Sequence, residues 1–218
     1  MHERNCDPAG PAAGPARAGQ RASAERLEQQ VRFLLELDLA KTVTRQSYLT
    51  DGSRRENDAE HMWHAAVAAL VLAEHSAEPL DAARVIAMLL LHDVVEIDAG
   101  DTFVYDADAL SDKSERETAA ASRLFGLLPP DQEQHFRELW DEFEARSTAE
   151  ARLAAAIDRL LPLLLNRASG GRSWREHGIR SSQVLHVNSV VDEASDILGD
   201  MVRSIVSEAV RAGMLGPE

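Results

Sequence analysis

The spacing of apolar residues predicts helices along nearly the whole chain from Glu25 onward. Apolar side chains recur every three or four residues, which places them on one face of a helix. Few segments alternate apolar and polar residues as a half-buried strand does. The stripes lie at residues 27–35, 67–71, 85–96, 136–143, 153–164 and 187–205, the second within a helix from about Asp58 to about Glu74. The pattern therefore predicts an all-α fold.

Turn-forming residues separate these stripes into about six or seven helices of one domain. The breaks are Asp51-Gly52, Pro79, Gly100, Pro129-Pro130, Gly170-Gly171 and Gly178. Residues 1–24 hold several Pro and Gly without apolar periodicity, which predicts a disordered tail before a helical domain at 25–212 and a short C-terminal tail at 213–218. The loops at 41–57, 99–114 and 169–186 are long for a helical bundle, and functional sites often lie in such loops.

Charge and composition restrict the classes of partner. The chain has 23 Lys+Arg against 37 Asp+Glu, a formal net charge of −14, which argues against a nucleic-acid or anionic-membrane partner. A small phosphorylated substrate is not excluded, since it needs only a few cations or a metal. The apolar runs are far shorter than the ~18 residues of a membrane span. With Cys6 as the only cysteine and no apolar run near the start, we expect a cytoplasmic location.

Ionisable residues inside apolar segments give the strongest functional signal. His92 and Asp93 interrupt one of the most hydrophobic stretches, His61 opens an earlier apolar helix, and Asp158 lies in the 153–164 stripe. Burying a carboxylate without a partner is costly, so it is paired or binds a metal. Two imidazoles and two carboxylates from separate helices suit a divalent metal ion. The alternative is a hydrogen-bonded His-Asp pair in the core.

The order and spacing of these residues resemble the HD-domain superfamily of metal-dependent phosphohydrolases. Three segments, RRENDAEH at 54–61, LHDVVEIDAGD at 91–101 and AID at 156–158, resemble its 5'-deoxynucleotidase branch, and the similarity extends over residues 26–168. The resemblance implies a single HD-domain helical bundle that releases phosphate from nucleoside 5'-monophosphates, deoxynucleotides foremost. It also implies a homodimer, which the Ala-rich helices favour.

The resemblance further implies the metal site and the catalytic groups. The metal ligands would be His61, His92, Asp93 and Asp158. They would hold one divalent ion, whether Mn, Co, Ni, Fe, Mg or Zn, which polarises a phosphoryl oxygen and lowers the pKa of its bound water. Glu96 and Asp101 match the catalytic carboxylates, and their division into general acid and general base stays open.

For the substrate, the resemblance points to the first long loop. Arg45 matches a phosphate-binding arginine, helped by Arg54, and an arginine fork suits a phosphate. A solvated loop cation is the alternative for Arg45. Gln46 stands where the related deoxynucleotidases have a tryptophan, which leaves the preference between ribose and deoxyribose open.

Several other residues have ordinary structural interpretations. We expect Trp63 and Trp140 in the core and His64 in the core or at a rim. Glu60 either supports the ligand His61 or complements the dipole of its helix. The glycine-bounded loop 170–178, with Trp174, either caps the site, stacks on a base or forms a surface or dimer contact.

The sequence also bears on other activities of the same fold. A di-iron oxygenase or a dinuclear cyclic-dinucleotide phosphodiesterase needs further histidines between Asp93 and Asp158, where only His135 occurs. A triphosphohydrolase would need more cations than the 41–57 loop offers, although hydrolysis of a nucleoside triphosphate or of another small phosphorylated metabolite remains an alternative. A non-catalytic nucleotide-binding module is disfavoured by the presence of both Glu96 and Asp101.

Overall fold

A computed structural model describes the backbone of residues 15–218 and the side chains from residue 20 onward. The helices in this part of the chain are α1 (Pro15–Glu36), α2 (Asp58–Leu72), α3 (Ala82–Leu89), α4 (Glu96–Ala99), α5 (Lys113–Phe125), α6 (Pro130–Ala145), α7 (Ala149–Ala168), α8 (Arg172–Glu176), α9 (Ser181–Val187), α10 (Val190–Ala194) and α11 (Asp196–Arg211). An antiparallel hairpin pairs β1 (Thr44–Tyr48) with β2 (Arg55–Asn57), and short 3₁₀ helices follow α1 (Leu37–Thr42) and α2 (Ala73–His75).

The all-α prediction is confirmed. Among the described residues, seven helices contain eight residues or more, in agreement with the predicted number of about six or seven. The short helices α8 and α9 lie within the segment expected to be a loop at 169–186, and the hairpin lies within the loop expected at 41–57. No helix in this described part is long and apolar enough to cross a membrane.

A capping box formed by Asn57 and Glu60 defines the start of helix α2. The Asn57 side chain accepts a hydrogen bond from the Glu60 backbone N–H, and the Glu60 carboxylate accepts one from the Asn57 N–H. This reciprocal pair satisfies two N–H groups that lack partners within the helix. It fixes the first turn of α2, from which Asp58 and His61 point inward.

The predicted helical face over 85–96 is not continuous. Helix α3 ends at Leu89, and the next residues form tight turns in which the Val94 N–H donates to the Leu91 carbonyl and the Glu96 N–H to the Asp93 carbonyl. Adjacent residues of an α-helix do not face the same side. Within these turns the His92 Nε2 and Asp93 Oδ2 atoms nevertheless lie 3.1 Å apart.

The predicted stripe over 187–205 is also divided. Helix α9 ends at Val187, α10 at Ala194, and α11 begins at Asp196. Ser195 separates the last two with an extended backbone (φ −167°), and its side chain accepts a hydrogen bond from the Leu198 N–H. Serine favours such capping positions over helix interiors, which explains the break.

Helix α7 lies at the centre of the fold, in contact with α2, α3, α6, α10, α11 and β1. Twelve of its twenty residues are buried. Trp140 is buried as predicted, but the core assignment of Trp63 is wrong, because this side chain is 65% exposed on α2. The reason is that α2 is apolar on two sides, and only one side packs against α3 and α7.

The structure differs from the predicted tails at both ends of the described chain. Residues 1–14 of the tail expected at 1–24 lie outside the described residues, whereas residues 15–24 extend α1, in keeping with the high helix propensity of alanine, arginine and glutamine. At the other end, Leu215 is buried and Gly216 forms a parallel bridge with Arg180. The segment expected as a C-terminal tail at 213–218 therefore packs against the domain.

Candidate metal centre

Four candidate ligands from three parts of the chain converge on one point, as the sequence predicts. His61 comes from the first turn of α2, His92 and Asp93 from the turns after α3, and Asp158 from the middle of α7. One donor atom from each lies within 4.8 Å of all the others, and all four residues are buried.

The distances between the donor atoms fit a single ion. His61 Nε2 lies 3.0 Å from Asp158 Oδ1 and 3.7 Å from Asp93 Oδ2, while His92 Nε2 lies 3.1 Å from Asp93 Oδ2 and 3.5 Å from Asp158 Oδ1. Ligands about 2.1 Å from one ion and at right angles to each other stand roughly 3.0 Å apart. The cluster therefore needs little adjustment to bind a divalent cation.

The Nδ1 atoms of the two imidazoles have different surroundings. His92 Nδ1 lies 2.9 Å from the Leu89 carbonyl, to which it donates in the tautomer that leaves Nε2 free to bind a metal. Burial alone would lower the pKa of His92, but the neighbouring Asp93 and Asp158 carboxylates raise it to about 10, so metal binding would have to displace a proton from Nε2. His61 Nδ1 lies 3.7 Å from the buried Glu56 carboxylate. Burial and the Arg45 charge lower the pKa of His61 to about 4, so its ring is in the neutral form that binds metals.

Arg45 lies in the site and is not a solvated loop cation. Its side chain is only 11% exposed. Six carboxylates surround it: Asp93 at 2.5 Å, Asp58 at 3.3 Å, Glu96 at 3.7 Å, Glu56 at 3.8 Å, Asp101 at 3.9 Å and Asp158 at 4.0 Å. One guanidinium cannot balance six acids, and an excess of buried negative charge favours either an additional cation or protonation.

The acids divide into two electrostatic groups. Burial alone would raise the pKa of Asp93, but the charges of His92 and Arg45 hold it well below its usual range. Burial and the Asp93 charge raise the pKa of Glu96 well above its ordinary value, and they raise that of Asp58 to about 7. Burial also raises the pKa of Asp101. The ionised carboxylate of the candidate ligand Asp93 thus lies beside carboxyl groups that are able to carry a proton.

Asp58 and Glu56 are the residues of this site to which the sequence patterns assign no role. Asp58 is fully buried, its Oδ2 has no hydrogen-bond partner, and it forms a second close acidic group with Asp93 and Glu96. Its signal in the sequence is its position three residues before His61, on the same face of α2. Glu56 lies in β2, and its proximity to His61 depends on how the hairpin packs against α2.

The structure does not bring Arg54 into the site. Its side chain is 54% exposed and forms two hydrogen bonds, of 2.6 and 2.8 Å, with Glu60. Glu60 is therefore engaged in capping α2 and pairing with Arg54 at the surface. His64 is half-buried one turn beyond His61, outside the donor cluster.

A cleft extends from the metal centre along α7. All three long connecting segments contribute to it, through residues 45–47, residues 101–105 and Trp174 of α8. The loop 170–178 packs against the hairpin, because the Tyr48 hydroxyl donates to Glu176 and the Arg172 guanidinium lies 4.0 Å from the Tyr48 ring centroid. Gln46 lies at the mouth, 3.2 Å from the His177 ring nitrogen.

Comparison with known proteins agrees with this geometry. A family model described as HD domain matches residues 37–198 of the chain. The crystal structure of a predicted metal-dependent phosphohydrolase from Magnetospirillum magnetotacticum MS-1 superposes with a TM-score of 0.85 and 52% sequence identity, covering 88% of this chain and 97% of that one.

Curated relatives share a shorter region. The protein named 5'-deoxynucleotidase HDDC2 of Bos taurus is 32% identical over 130 residues, and that of Homo sapiens is 31% identical over 130 residues. Each match covers 59% of this chain and 62% of the relative. The chain therefore spans less than two thirds of the length of these relatives.

Proposed function

Because the chain belongs to the HD domain family, we propose that it is a metal-dependent phosphohydrolase that releases phosphate from nucleoside 5'-monophosphates, deoxynucleotides foremost. The observation that carries the proposal is the convergence of His61, His92, Asp93 and Asp158 beside Arg45, at the head of a cleft. The curated relatives named 5'-deoxynucleotidase support the substrate class.

The chain's own residues would bind and orient the phosphate. A divalent ion held by the four donors supplies Lewis-acid activation of water and of a phosphoryl oxygen. The guanidinium of Arg45 lies 2.5 Å from the ligand Asp93 and lines the cleft. Its planar fork can therefore bind two phosphoryl oxygens next to the ion.

The positions of the two catalytic carboxylates suggest their roles. Asp101 lines both the cleft and the metal pocket, whereas Glu96 lines only the metal pocket. A nucleoside in the cleft would place its leaving oxygen on the Asp101 side. We assign proton donation to the leaving oxygen to Asp101, whose pKa is raised by burial, and orientation of the attacking water to Glu96.

Leaving-group dependence tests this division. A substrate with a good leaving group does not need a general acid. In the Asp101→Asn variant, turnover of nucleoside monophosphates should fall by about 100-fold or more, whereas hydrolysis of p-nitrophenyl phosphate falls far less. The Glu96→Gln variant should lose both activities. Equal losses for the two substrates in Asp101→Asn would contradict the assignment of Asp101 as the general acid. Glu115→Gln, on the exposed side of α5, is the control.

The activity itself is tested by phosphate release. The metal-stripped protein is supplied with Mn, Co, Ni, Fe, Mg or Zn and a panel of ribo- and deoxynucleoside mono- and triphosphates. The triphosphates belong in the panel because Lys113, Arg146 and Arg159 also line the metal pocket. We expect release from monophosphates with at least one metal. No phosphate from any combination would contradict the enzyme assignment and favour a non-catalytic nucleotide-binding module.

We also propose that the chain forms a homodimer through α1, α2 and the 3₁₀ helix between them, which packs on both. Nine large apolar side chains there are 39–69% exposed: Leu27, Val31, Leu34, Leu35, Leu39, Trp63, Val67, Leu70 and Val71. A standard interface buries about 800 Å² per partner, and nine such side chains supply an area of that order. Residues 61–72 contain no Asp, Glu, Lys or Arg, so the α2 part of this face would meet little charge repulsion from a second copy.

A further inference from the structure

The inner end of the cleft holds two buried asparagines with unused hydrogen-bonding capacity. Asn166 of α7 is 8% exposed and Asn188, at the end of α9, is 4% exposed. Both line the cleft, and the Oδ1 atom of each has no hydrogen-bond partner. Leaving a buried acceptor unpaired costs free energy. A ligand that donates hydrogen bonds to these two oxygens would remove that cost.

The orientation of both amides is determined by the helices that carry them. Asn166 Nδ2 donates to the Pro162 carbonyl at 3.0 Å, and Asn188 Nδ2 donates to the Val184 carbonyl at 2.8 Å. Rotating either amide by 180° would set an oxygen against a carbonyl oxygen, which is repulsive. The Oδ1 atom of each asparagine is therefore held as an unused acceptor beside the cleft.

The distance from the metal centre matches the length of a nucleotide. Asn166 follows the metal-binding Asp158 by eight residues on α7, which is about 12 Å along the helix axis. Pro162, one turn from each, also lines the cleft. A nucleoside monophosphate whose phosphate lies at the metal centre would place the far edge of its base at about the depth of Asn166.

The walls around the asparagines suit a planar ring. Phe103, Tyr105 and Trp174 line the cleft, and the Phe103 ring lies 5.2 Å from that of Tyr105. Aromatic walls and two fixed acceptors are the features expected of a nucleobase pocket.

Resting on the proposed nucleotidase function, we infer that Asn166 and Asn188 select the base of the substrate, favouring bases that carry an amino group over uracil and thymine. Cytosine and adenine present an N–H₂ donor, to which the amide oxygens are complementary. Uracil and thymine present a single N–H between two carbonyl oxygens, which would face the amide oxygens and repel them. The selectivity therefore arises because the asparagine oxygens attract bases with an amino group and repel the carbonyl oxygens of uracil and thymine.

Matched substrates test the inference. We expect the metal-loaded protein to have a kcat/KM for deoxycytidine 5'-monophosphate about tenfold or more above that for deoxyuridine 5'-monophosphate. In Asn166→Leu and in Asn188→Leu this ratio should approach one, and the kcat/KM for the cytidine nucleotide should fall relative to that for deoxyribose 5-phosphate, which has no base. The control is Gln134→Leu, which removes an exposed amide of α6. Equal kcat/KM for the two nucleotides in the wild-type protein would overturn the inference.

Binding of nucleosides separates this inference from the proposed function. Deoxycytidine and deoxyuridine, which lack phosphate, are titrated calorimetrically into the metal-free protein and its variants. Tighter binding of deoxycytidine that is lost in both asparagine variants supports base selection even if no nucleotide is hydrolysed. Hydrolysis of nucleotides without any difference between the bases, in turnover or in binding, would leave the nucleotidase function standing and refute the role of the asparagines. Circular dichroism melts verify that each variant is folded.

Discussion

At the scale of single residues, the orientation of the candidate ligand His92 depends on a hydrogen bond to the backbone. The Leu89 carbonyl accepts from His92 Nδ1 and so directs Nε2 to the donor cluster. The Glu56 carboxylate lies 3.7 Å from His61 Nδ1, beyond hydrogen-bond distance. Outer contacts such as that of His92 orient metal ligands and tune their basicity.

Removal of a ligand should abolish metal binding without unfolding the protein. We expect His92→Ala to bind Mn²⁺ more than about 100-fold more weakly than the wild-type protein, since outer contacts alone are worth about 10–100-fold. The measurement is metal content after dialysis together with calorimetric titration. His135→Ala replaces an exposed histidine of α6 and should bind the metal normally. Unchanged affinity in His92→Ala would remove this residue from the ligand set.

Among the residue-level predictions, the convergence of buried ionisable residues agrees with the structure, two placements do not, and the role of the four residues as metal ligands stays a prediction. His61, His92, Asp93 and Asp158 converge as expected, whereas Trp63 is exposed and Arg54 pairs with Glu60 at the surface. A tryptophan is compatible with either a core or an interface. A loop arginine next to the start of a helix can pair with an acidic residue of the first turn, as Arg54 does with Glu60, instead of binding a substrate.

At the scale of secondary structure, the site depends on where helices end. The turns after Leu89 bring His92 and Asp93 to one point, and the first turn of α2 presents Asp58 and His61. Periodicity predicts that helices exist but not these ends, because the tight turns after α3 retain the apolar pattern of a helix. The cap residues Asn57 and Ser195 carry the better boundary signal.

The cap of α2 should stabilise the fold and the site together. Asn57→Ala removes the acceptor of the Glu60 N–H, so we expect the free energy of unfolding to fall by about 1 kcal/mol. Urea denaturation followed by circular dichroism measures this change. Ser114→Ala, an exposed substitution in α5, should stay within about 0.5 kcal/mol of the wild-type value. A loss no larger in Asn57→Ala than in Ser114→Ala would contradict the role of the cap.

At the scale of the whole molecule, charge and apolar surface are distributed unevenly. Six acids crowd around Arg45 in the site, while the outer side of α2 has no charged residue after Glu60. Exposed contiguous apolar surface marks interaction sites in proteins that are otherwise well packed. The net charge of −14 therefore includes the acids clustered around Arg45 as well as those on the solvated surface.

Disruption of the apolar face should dissociate the dimer. We expect the wild-type protein to sediment as a dimer in analytical ultracentrifugation and the double variant Trp63→Asp, Leu70→Asp to sediment as a monomer, because buried unpaired carboxylates are costly. Ile197→Asp is the matched control, since Ile197 is 64% exposed on α11. A wild-type monomer, or a dimer lost equally in the control, would exclude this interface.

The sequence by itself determined the helical class, the family and the identity of the four clustered donors. These depend on local periodicity and on the high cost of burying unpaired charge, both of which are readable from neighbouring residues. Tertiary structure alone decided that Arg45 lies among six acids, that Glu56 lies beside His61, and that Asn166 and Asn188 line one cleft. Segments far apart in the chain make these contacts, and their distances follow from how helices and hairpin pack, which no local pattern encodes.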